Sequence, residues 1–186
     1  MLPIVLDASA TRVGLVGAGQ GLQNRLGMIE EADAAGHSLF VLDDHDVTLH
    51  CRWGHAVRRL PRRDEIAELR VLFIAGLDRE TSARLAGEAR ALGVLVNVED
   101  VPELCDFHVP ASVRRGSLLL TVSTGGRAPG LASVVRAELE DRFGPEWVER
   151  TEELAAQRRV WRDERLAPRE IATRTAALVD ERKWLR

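Results

Sequence analysis

Two glycine-rich loops in this sequence could each bind an anion, because each follows an apolar run and precedes a helix-like segment. The first loop contains Gly17, Gly19 and Gly21 in VGAGQG, and the second is STGGRAPG at residues 123–130. Backbone N–H groups at a helix start carry a partial positive charge that suits phosphate or carboxylate. The second loop is equally compatible with an ordinary strand-to-helix turn, so its own residues leave its role open.

The first loop matches most of a dinucleotide-binding fingerprint, G-x-G-x-x-G/A. Gly17 would allow the tight turn after the strand, and Gly19 would let a pyrophosphate approach the backbone. Leu22 stands at the third small position, where its side chain should push the helix off the strand unless Gly21 takes that role. An ordinary α/β turn is the alternative interpretation. We predict cofactor contacts from Gly17, Ala18, Gly19, Gln20 and Gly21.

Two further strand-like runs end in acids that could serve the same site. SLFVLDD ends in Asp43 and Asp44, and a carboxylate there would hydrogen-bond an adenosine ribose and favour NAD over NADP. NVED places Asp100 where a doubly wound sheet could present a general base, with Asn97 as a further cofactor contact. Ordinary solvated acids at strand ends are the alternative in both cases.

Histidine and cysteine spacing predicts no closed metal site. His108 lies beside Cys105 and Asp106 at spacings that do not suit a metal ion, and Cys51 and Cys105 form no C-x-x-C pair. A histidine in such surroundings more often has a structural role. We therefore expect no bound metal.

Composition narrows the class of protein. The 186 residues are 45% hydrophobic and 30% charged, with a net charge of -3, which argues against a nucleic-acid-binding protein. Five arginines lie within residues 52–63, where they form either a solvated face or a clamp for a substrate with several carboxylates. Without a signal peptide or an apolar run of about eighteen residues, we expect a cytoplasmic protein that does not enter the membrane.

Apolar runs and helix-like segments alternate over the first hundred residues in the order β-α-β-α-β. This order predicts an α/β fold, with a parallel sheet and helices on its faces. Beyond Asp100 an irregular segment, VPELCDFHVPASVRRG, leads to the strand SLLLTV and then to helices. We predict a Rossmann-like NAD-binding domain at 1–113, a small α+β dimerisation region at 114–145 and a C-terminal helical region at 146–186.

Three motifs between residues 95 and 131 occur together in one known family. They are a strand ending in N-V-x-D, an F-x-x-P-(A/S) segment, and a strand followed by an S-(S/T)-G-G-x-(S/A)-P loop. The matching residues are Asn97, Val98, Asp100, Phe107, Pro110, Ala111, Ser123, Thr124, Gly125, Gly126 and Pro129. The chain thereby resembles the precorrin-2 dehydrogenase/sirohydrochlorin ferrochelatase family, the dehydrogenase part of sirohaem synthase. The opening LP strand with its glycine loop and the segment VLFIAGLDRETSARLAGEARALG extend the resemblance to essentially the whole chain.

The resemblance implies NAD-dependent oxidation of precorrin-2 to sirohydrochlorin by a homodimer, with Asp100 as the catalytic base. It also implies that the second loop binds carboxylates of the tetrapyrrole. The residues implied in substrate binding are His108, Ser123, Thr124, Gly125, Gly126 and Arg127.

The resemblance leaves three possible functions open. A bifunctional protein would also insert Fe2+ as a substrate into sirohydrochlorin, with Asp100 accepting pyrrole protons. A second possibility is a dehydrogenase without chelatase activity. The third is a non-catalytic NAD- or tetrapyrrole-binding homologue. Leu22 is the feature of the sequence that favours this possibility most.

Overall fold

The computed structural model describes residues 2–32, 37–42 and 56–185. It divides into two compact units, Met1–Val109 and Pro110–Arg186. The sequence placed the first boundary at residue 113, which lies inside a strand of the second unit. That strand pairs only within its own unit, so the division falls before it.

The first unit is built on a parallel sheet, as the alternation of apolar runs predicts. Its strands are β1 (Val13–Gly17), β2 (Ser38–Val41), β3 (Val71–Ala75) and β4 (Leu95–Val98), in the order β2-β1-β3-β4. All three pairings are parallel. The carboxyl ends of the strands therefore share one edge of the sheet, which is where such folds bind ligands.

Helices cover both faces of this sheet, because neighbouring residues on each strand point to opposite sides. Helix α1 (Gly19–Glu31) covers one face, and α2 (Arg63–Ala67) and α3 (Arg79–Ala91) cover the other. The buried residues of the α1 face are Val13, Leu15, Leu22, Leu26, Ile29, Leu39, Val41, Val71 and Phe73. Those of the opposite face include Val16, Phe40, Ile66, Leu69, Leu72, Ile74, Leu85, Val96 and Val98.

The second unit contains an antiparallel hairpin and three helices. The hairpin pairs β5 (Ala111–Arg115) with β6 (Leu118–Val122). Helices α4 (Pro129–Arg142), α5 (Trp147–Asp163) and α6 (Pro168–Glu181) follow. The three helices and the strand at SLLLTV were expected from the sequence.

Strand β5 corrects the prediction that VPELCDFHVPASVRRG is irregular. Only Val113 is buried in ASVRR, so the strand lacks the apolar run that marks a strand in sequence. The same segment also contains a short 3-10 turn at Pro102–Leu104. At the start of the chain, the opening LP strand that belongs to the resemblance is also absent: residues 2–7 lie outside both sheets.

No helix in the described ranges is long and apolar enough to cross a membrane.

Candidate dinucleotide-binding site

The four strands of the first unit bring their following residues to one edge of the sheet. Gly17 is in register with Val41 on one side and Ala75 on the other. The Glu99 N–H donates to the Ile74 carbonyl at 2.9 Å, which extends the pairing of β3 and β4 by one residue. The β1–α1 loop thus lies between the chain that leaves β2 and the chain that leaves β3.

Gly17 and Gly76 let the loops after β1 and β3 cross in direct contact. A Cβ on Gly17 would overlap the Ala75 carbonyl oxygen, and a Cβ on Gly76 would overlap the Ala18 carbonyl oxygen. The Ala18 N–H donates to Ala75 O at 3.1 Å across the same crossing. The backbone of the glycine loop is therefore fixed against the neighbouring loop.

Gly19 has a backbone conformation that favours glycine. Its φ of +60° is unfavourable for residues with a Cβ, and no atom of the described residues beyond its chain neighbours and its own helix lies within 4 Å of the position that a Cβ would take. Helix α1 begins here, and its N-cap residue Ala18 provides no side-chain hydrogen bond. Helix α3, in contrast, is capped by Asp78, which accepts from the Thr81 N–H at 2.8 Å. A helix start that receives no side-chain cap from its N-cap residue suits a pyrophosphate, because backbone N–H groups of a first helical turn bind anions.

Leu22 does not push α1 off the sheet. Its side chain is fully buried among the residues of the α1 face. The close approach occurs at Gly21, where a Cβ would lie 3.2 Å from the Gly76 nitrogen and overlap the Glu99 carboxylate. Gly21 therefore takes the role of the third small residue, and α1 begins at Gly19.

Asp100 lies two residues after β4 and is exposed, with a φ of +57°. Residues with a Cβ rarely adopt this left-handed conformation, although aspartate and asparagine tolerate it better than most. Backbone outliers of this kind cluster at functional sites, where the surrounding structure holds them in place.

Cys105 and Asn97 hold the turn that presents Asp100. The Cys105 Sγ lies 3.2 Å from the Val98 nitrogen and 3.1 Å from the Val98 oxygen. The Asn97 Nδ2 donates to the Phe107 carbonyl at 2.9 Å, while its buried Oδ1 has no hydrogen-bond partner within the described residues. The geometry thus gives Asn97 a structural contact, and its predicted contact with a cofactor stays a prediction.

Asp106 forms hydrogen bonds with the backbone on the outer edge of β4. Its carboxylate accepts from the Val96 N–H at 2.9 Å and pairs with Arg90 at 2.8 Å. Its own N–H donates to the Val96 carbonyl at 2.8 Å. Asp106 is therefore engaged in structure, whereas the neighbouring His108 is exposed.

The described part of the basic stretch anchors the sheet instead of forming an open clamp. Val57 pairs with the outer edge of β2, and Arg59 makes two hydrogen bonds of 2.7 Å to Glu65 on α2. These hydrogen bonds, with another from the Arg62 N–H, lower the pKa of Glu65 to about 2. Arg63 pairs with Glu88 on α3.

The second glycine loop lies in the second unit, between β6 and α4. Gly125 and Gly126 both have positive φ, of +66° and +75°. The Thr124 Oγ1 accepts from the Ala128 N–H at 3.1 Å, and the Ser123 Oγ accepts from the Gly125 N–H at 3.2 Å. The Arg127 N–H also donates to the Thr124 carbonyl, at 3.2 Å. Three backbone donors of the loop are thus used within it, while the side chain of Arg127 is exposed.

The structure brings Gly17, Ala18, Gly19, Gln20 and Gly21 together with the residues that follow β3 and β4. Asp43 and Asp44 lie outside the described residues, directly after Leu42, whose N–H donates to Gly17 O at 3.0 Å. Sequence reasoning missed Gly76 and Glu99, although a glycine directly after a predicted strand was a signal for the first.

A parallel sheet covered on both faces, with a glycine loop leading into an uncapped helix, defines a Rossmann-like dinucleotide-binding class of protein. A family model described as putative NAD(P)-binding matches residues 4–111. The chain belongs to this family.

Several curated relatives are siroheme synthases. The siroheme synthase of Methylococcus capsulatus is 33% identical over 150 residues, which cover 77% of this chain and 31% of the relative. The siroheme synthase of Methylobacillus flagellatus is 35% identical over 144 residues, which cover 75% of this chain and 30% of the relative. The chain thus spans about a third of the length of these relatives. The resemblance found in the sequence is confirmed.

One solved structure has the same fold along the whole chain. SirC, a precorrin-2 dehydrogenase, aligns with a TM-score of 0.72 at 17% identity and covers 100% of this chain and 93% of its own. The α/β architecture with a helical C-terminal part is therefore shared with that protein.

Proposed function

We propose that this protein oxidises precorrin-2 to sirohydrochlorin with NAD+ as the oxidant. The main support is the glycine loop that leads from β1 directly into α1, with the exposed Asp100 after β4 at the same edge of the sheet. The siroheme synthase relatives and the precorrin-2 dehydrogenase with the same fold favour this substrate among those a dinucleotide-binding fold could use.

The cofactor site is assigned to the β1–α1 loop. Gly17 lets the loop cross its neighbour, and a pyrophosphate would bind at the start of α1 beside Gly19. Asp43 or Asp44 would accept hydrogen bonds from the adenosine ribose, and a carboxylate there disfavours the 2′-phosphate of NADP+. We therefore propose NAD+ as the preferred cofactor.

The reaction removes a hydride and a proton from the macrocycle. NAD+, held by the loop from Gly17 to Gly21, would supply the hydride acceptor. Asp100 is proposed to take the proton, since its carboxylate is exposed and makes no ion pair with any described residue. The tight turn held by Cys105 would keep this carboxylate at a fixed position during the reaction.

The substrate carries acetate and propionate groups, which require cationic or N–H donors. We propose that the loop from Ser123 to Arg127 binds some of these carboxylates through Arg127 and the backbone N–H groups near α4. His108 is a further candidate, because its ring is exposed.

Incubation of the purified protein with precorrin-2 and NAD+ tests this function. Formation of NADH together with the absorption change of the macrocycle supports the dehydrogenase, and subsequent loss of free sirohydrochlorin on adding Fe2+ supports a chelatase as well. A dehydrogenase alone would give the first change without the second. A non-catalytic homologue would give neither change, and that result would refute the proposal.

A further inference from the structure

Glu99 places a carboxylate directly against the glycine loop. Its side chain reaches from the end of β4 to α1, where it occupies the position that a Cβ on Gly21 would take. The residue is half-buried. The carboxylate is therefore part of the surface that leads from Gly19 towards β4.

This carboxylate makes no hydrogen bond or ion pair with any of the described residues. Partly buried carboxylates usually have donors, because removing them from water without a partner costs free energy. The neighbouring acids are mostly engaged: Asp106 pairs with Arg90, and Glu103 pairs with Arg79 at 2.6 Å. Glu99 thus retains free acceptor positions beside the site.

The order of the strands indicates what would meet these acceptors. β1 lies between β2 on one side and β3, then β4, on the other. A dinucleotide whose pyrophosphate lies at the β1 loop and whose adenosine half extends past the end of β2 directs its second half towards β3 and β4. The first hydroxyl groups beyond the pyrophosphate in that direction belong to the nicotinamide-side ribose.

We propose that Glu99 binds the hydroxyl groups of the nicotinamide-side ribose and thereby positions the nicotinamide. The proposal rests on the proposed NAD+ site but not on the identity of the oxidised substrate. Two ribose hydroxyl groups can donate to one carboxylate, and hydrogen bonds to a charged group are among the stronger ones. Glu99 is then a positioning residue, distinct from Asp100, whose proposed role is to take a proton.

Two ligands that differ in the second ribose test this contact. ADP and ADP-ribose share the adenosine and the pyrophosphate, and only ADP-ribose carries the second ribose. Titration calorimetry on the full chain would compare wild type with Glu99→Ala, Glu99→Gln and the control Glu31→Ala. Glu31 is the last residue of α1 and is exposed, so its removal changes the charge of the same unit away from the loop.

Glu99→Ala should weaken ADP-ribose binding at least about tenfold and leave ADP binding within about threefold of wild type. The affinity of Glu99→Gln for ADP-ribose should lie between those of wild type and Glu99→Ala, because glutamine keeps one acceptor oxygen. Glu31→Ala should change the affinity for neither ligand by more than about twofold. Thermal unfolding of each variant checks that the fold is retained.

Three results would overturn the proposal. Equal weakening of ADP and ADP-ribose would show that Glu99 only shapes the loop, and tighter binding of both would show that it repels phosphate. Wild-type protein that binds neither ligand would refute this contact together with the NAD+ site. If instead both ligands bind as expected but precorrin-2 is not oxidised, the Glu99 contact stands and the proposed function fails.

Discussion

Asp100 is the residue on which the proposed chemistry depends most. Its left-handed backbone is tolerated by asparagine, so Asp100→Asn removes the charge with little added strain. We predict that this change lowers kcat for dehydrogenation at least about tenfold, because a general base contributes about 10² to 10⁴. NAD+ affinity should change little, since the pyrophosphate is bound elsewhere. Steady-state kinetics with saturating NAD+ measure both quantities.

A role of Asp100 in binding alone gives a different pattern. The KM for precorrin-2 would then rise while kcat stayed nearly constant. If Asp100→Asn keeps kcat intact, Asp100 is not the base. If it loses only metal insertion, the carboxylate belongs to a chelatase step.

Gly17 is predicted to matter for stability through its lack of a side chain. Gly17→Ala places a Cβ on the Ala75 carbonyl oxygen, and overpacking of this kind costs about 1–3 kcal/mol. Gly27→Ala is the matched control, because no atom of the described residues outside its own helix lies within 4 Å of its Cβ position and alanine favours the helix by about 0.5–1 kcal/mol. Denaturant unfolding should therefore show a lower free energy of unfolding for Gly17→Ala and a higher one for Gly27→Ala than for wild type. Equal stability of Gly17→Ala and wild type would contradict the close crossing.

At the residue scale, the sequence predicted which types of group matter but not which contacts they make. Gly17 and Gly19 follow from the fingerprint, because their spacing reflects local backbone requirements. The role of Gly21 depends on Gly76 and on Glu99, more than fifty residues away in the chain, so no local pattern contains it. The left-handed conformation of Asp100 likewise depends on contacts made by Cys105.

At the scale of elements, α2 is connected to the β2 edge through the Arg59–Glu65 pair, and this connection predicts an acid dependence. The hydrogen bonds from Arg59 lower the folded pKa of Glu65 from its ordinary 4.5 to about 2. The ionised carboxylate therefore stabilises the folded state above pH 4.5, and this contribution is lost as pH falls from about 4.5 to about 2.

We predict that Glu65→Gln lowers the free energy of unfolding at pH 7 and that its difference from wild type disappears near pH 2. Glu68→Gln is the control, because its pair with Arg12 is exposed at both side chains and should contribute little. Urea unfolding at several pH values measures these differences. A constant difference for Glu65→Gln at all pH values would contradict the assigned cause.

Elements were predictable where burial follows a regular pattern. The strands of the first unit are apolar runs because both of their faces are covered, and α3 carries its Asp78 cap in the sequence itself. Strand β5 was missed because it is polar on one face and short of apolar residues.

For the whole molecule, the second unit carries apolar side chains that its own fold leaves exposed. On α4, Leu131 is 57% and Val134 is 68% exposed, while Val113 and Ala132 are among the few buried apolar residues of this unit. We propose that residues 114–145 mediate a homodimer, as the sequence predicted. Sedimentation velocity at micromolar concentration should show a dimer.

Val134→Glu should shift this equilibrium to monomer, because burying an unpaired carboxylate in an interface is costly. Thr173→Glu introduces the same charge at an exposed position of α6 and should leave the dimer intact. A wild-type protein that sediments as a monomer would reject the assembly. A Val134→Glu protein that remains dimeric would place the interface elsewhere.

The central claim is that hydride transfer from precorrin-2 to NAD+ occurs on this protein, and its stoichiometry is the most direct test. Precorrin-2 would be supplied in less than molar equivalence to the protein, with excess NAD+ and without oxygen, so that NAD+ is the only oxidant present. The proposed reaction yields one NADH for each sirohydrochlorin, and samples that lack NAD+ or contain Asp100→Asn yield little of either product on the same timescale. Two results would contradict hydride transfer to NAD+. One is that the wild-type protein forms sirohydrochlorin without forming NADH, and the other is that no NADH forms at any protein concentration.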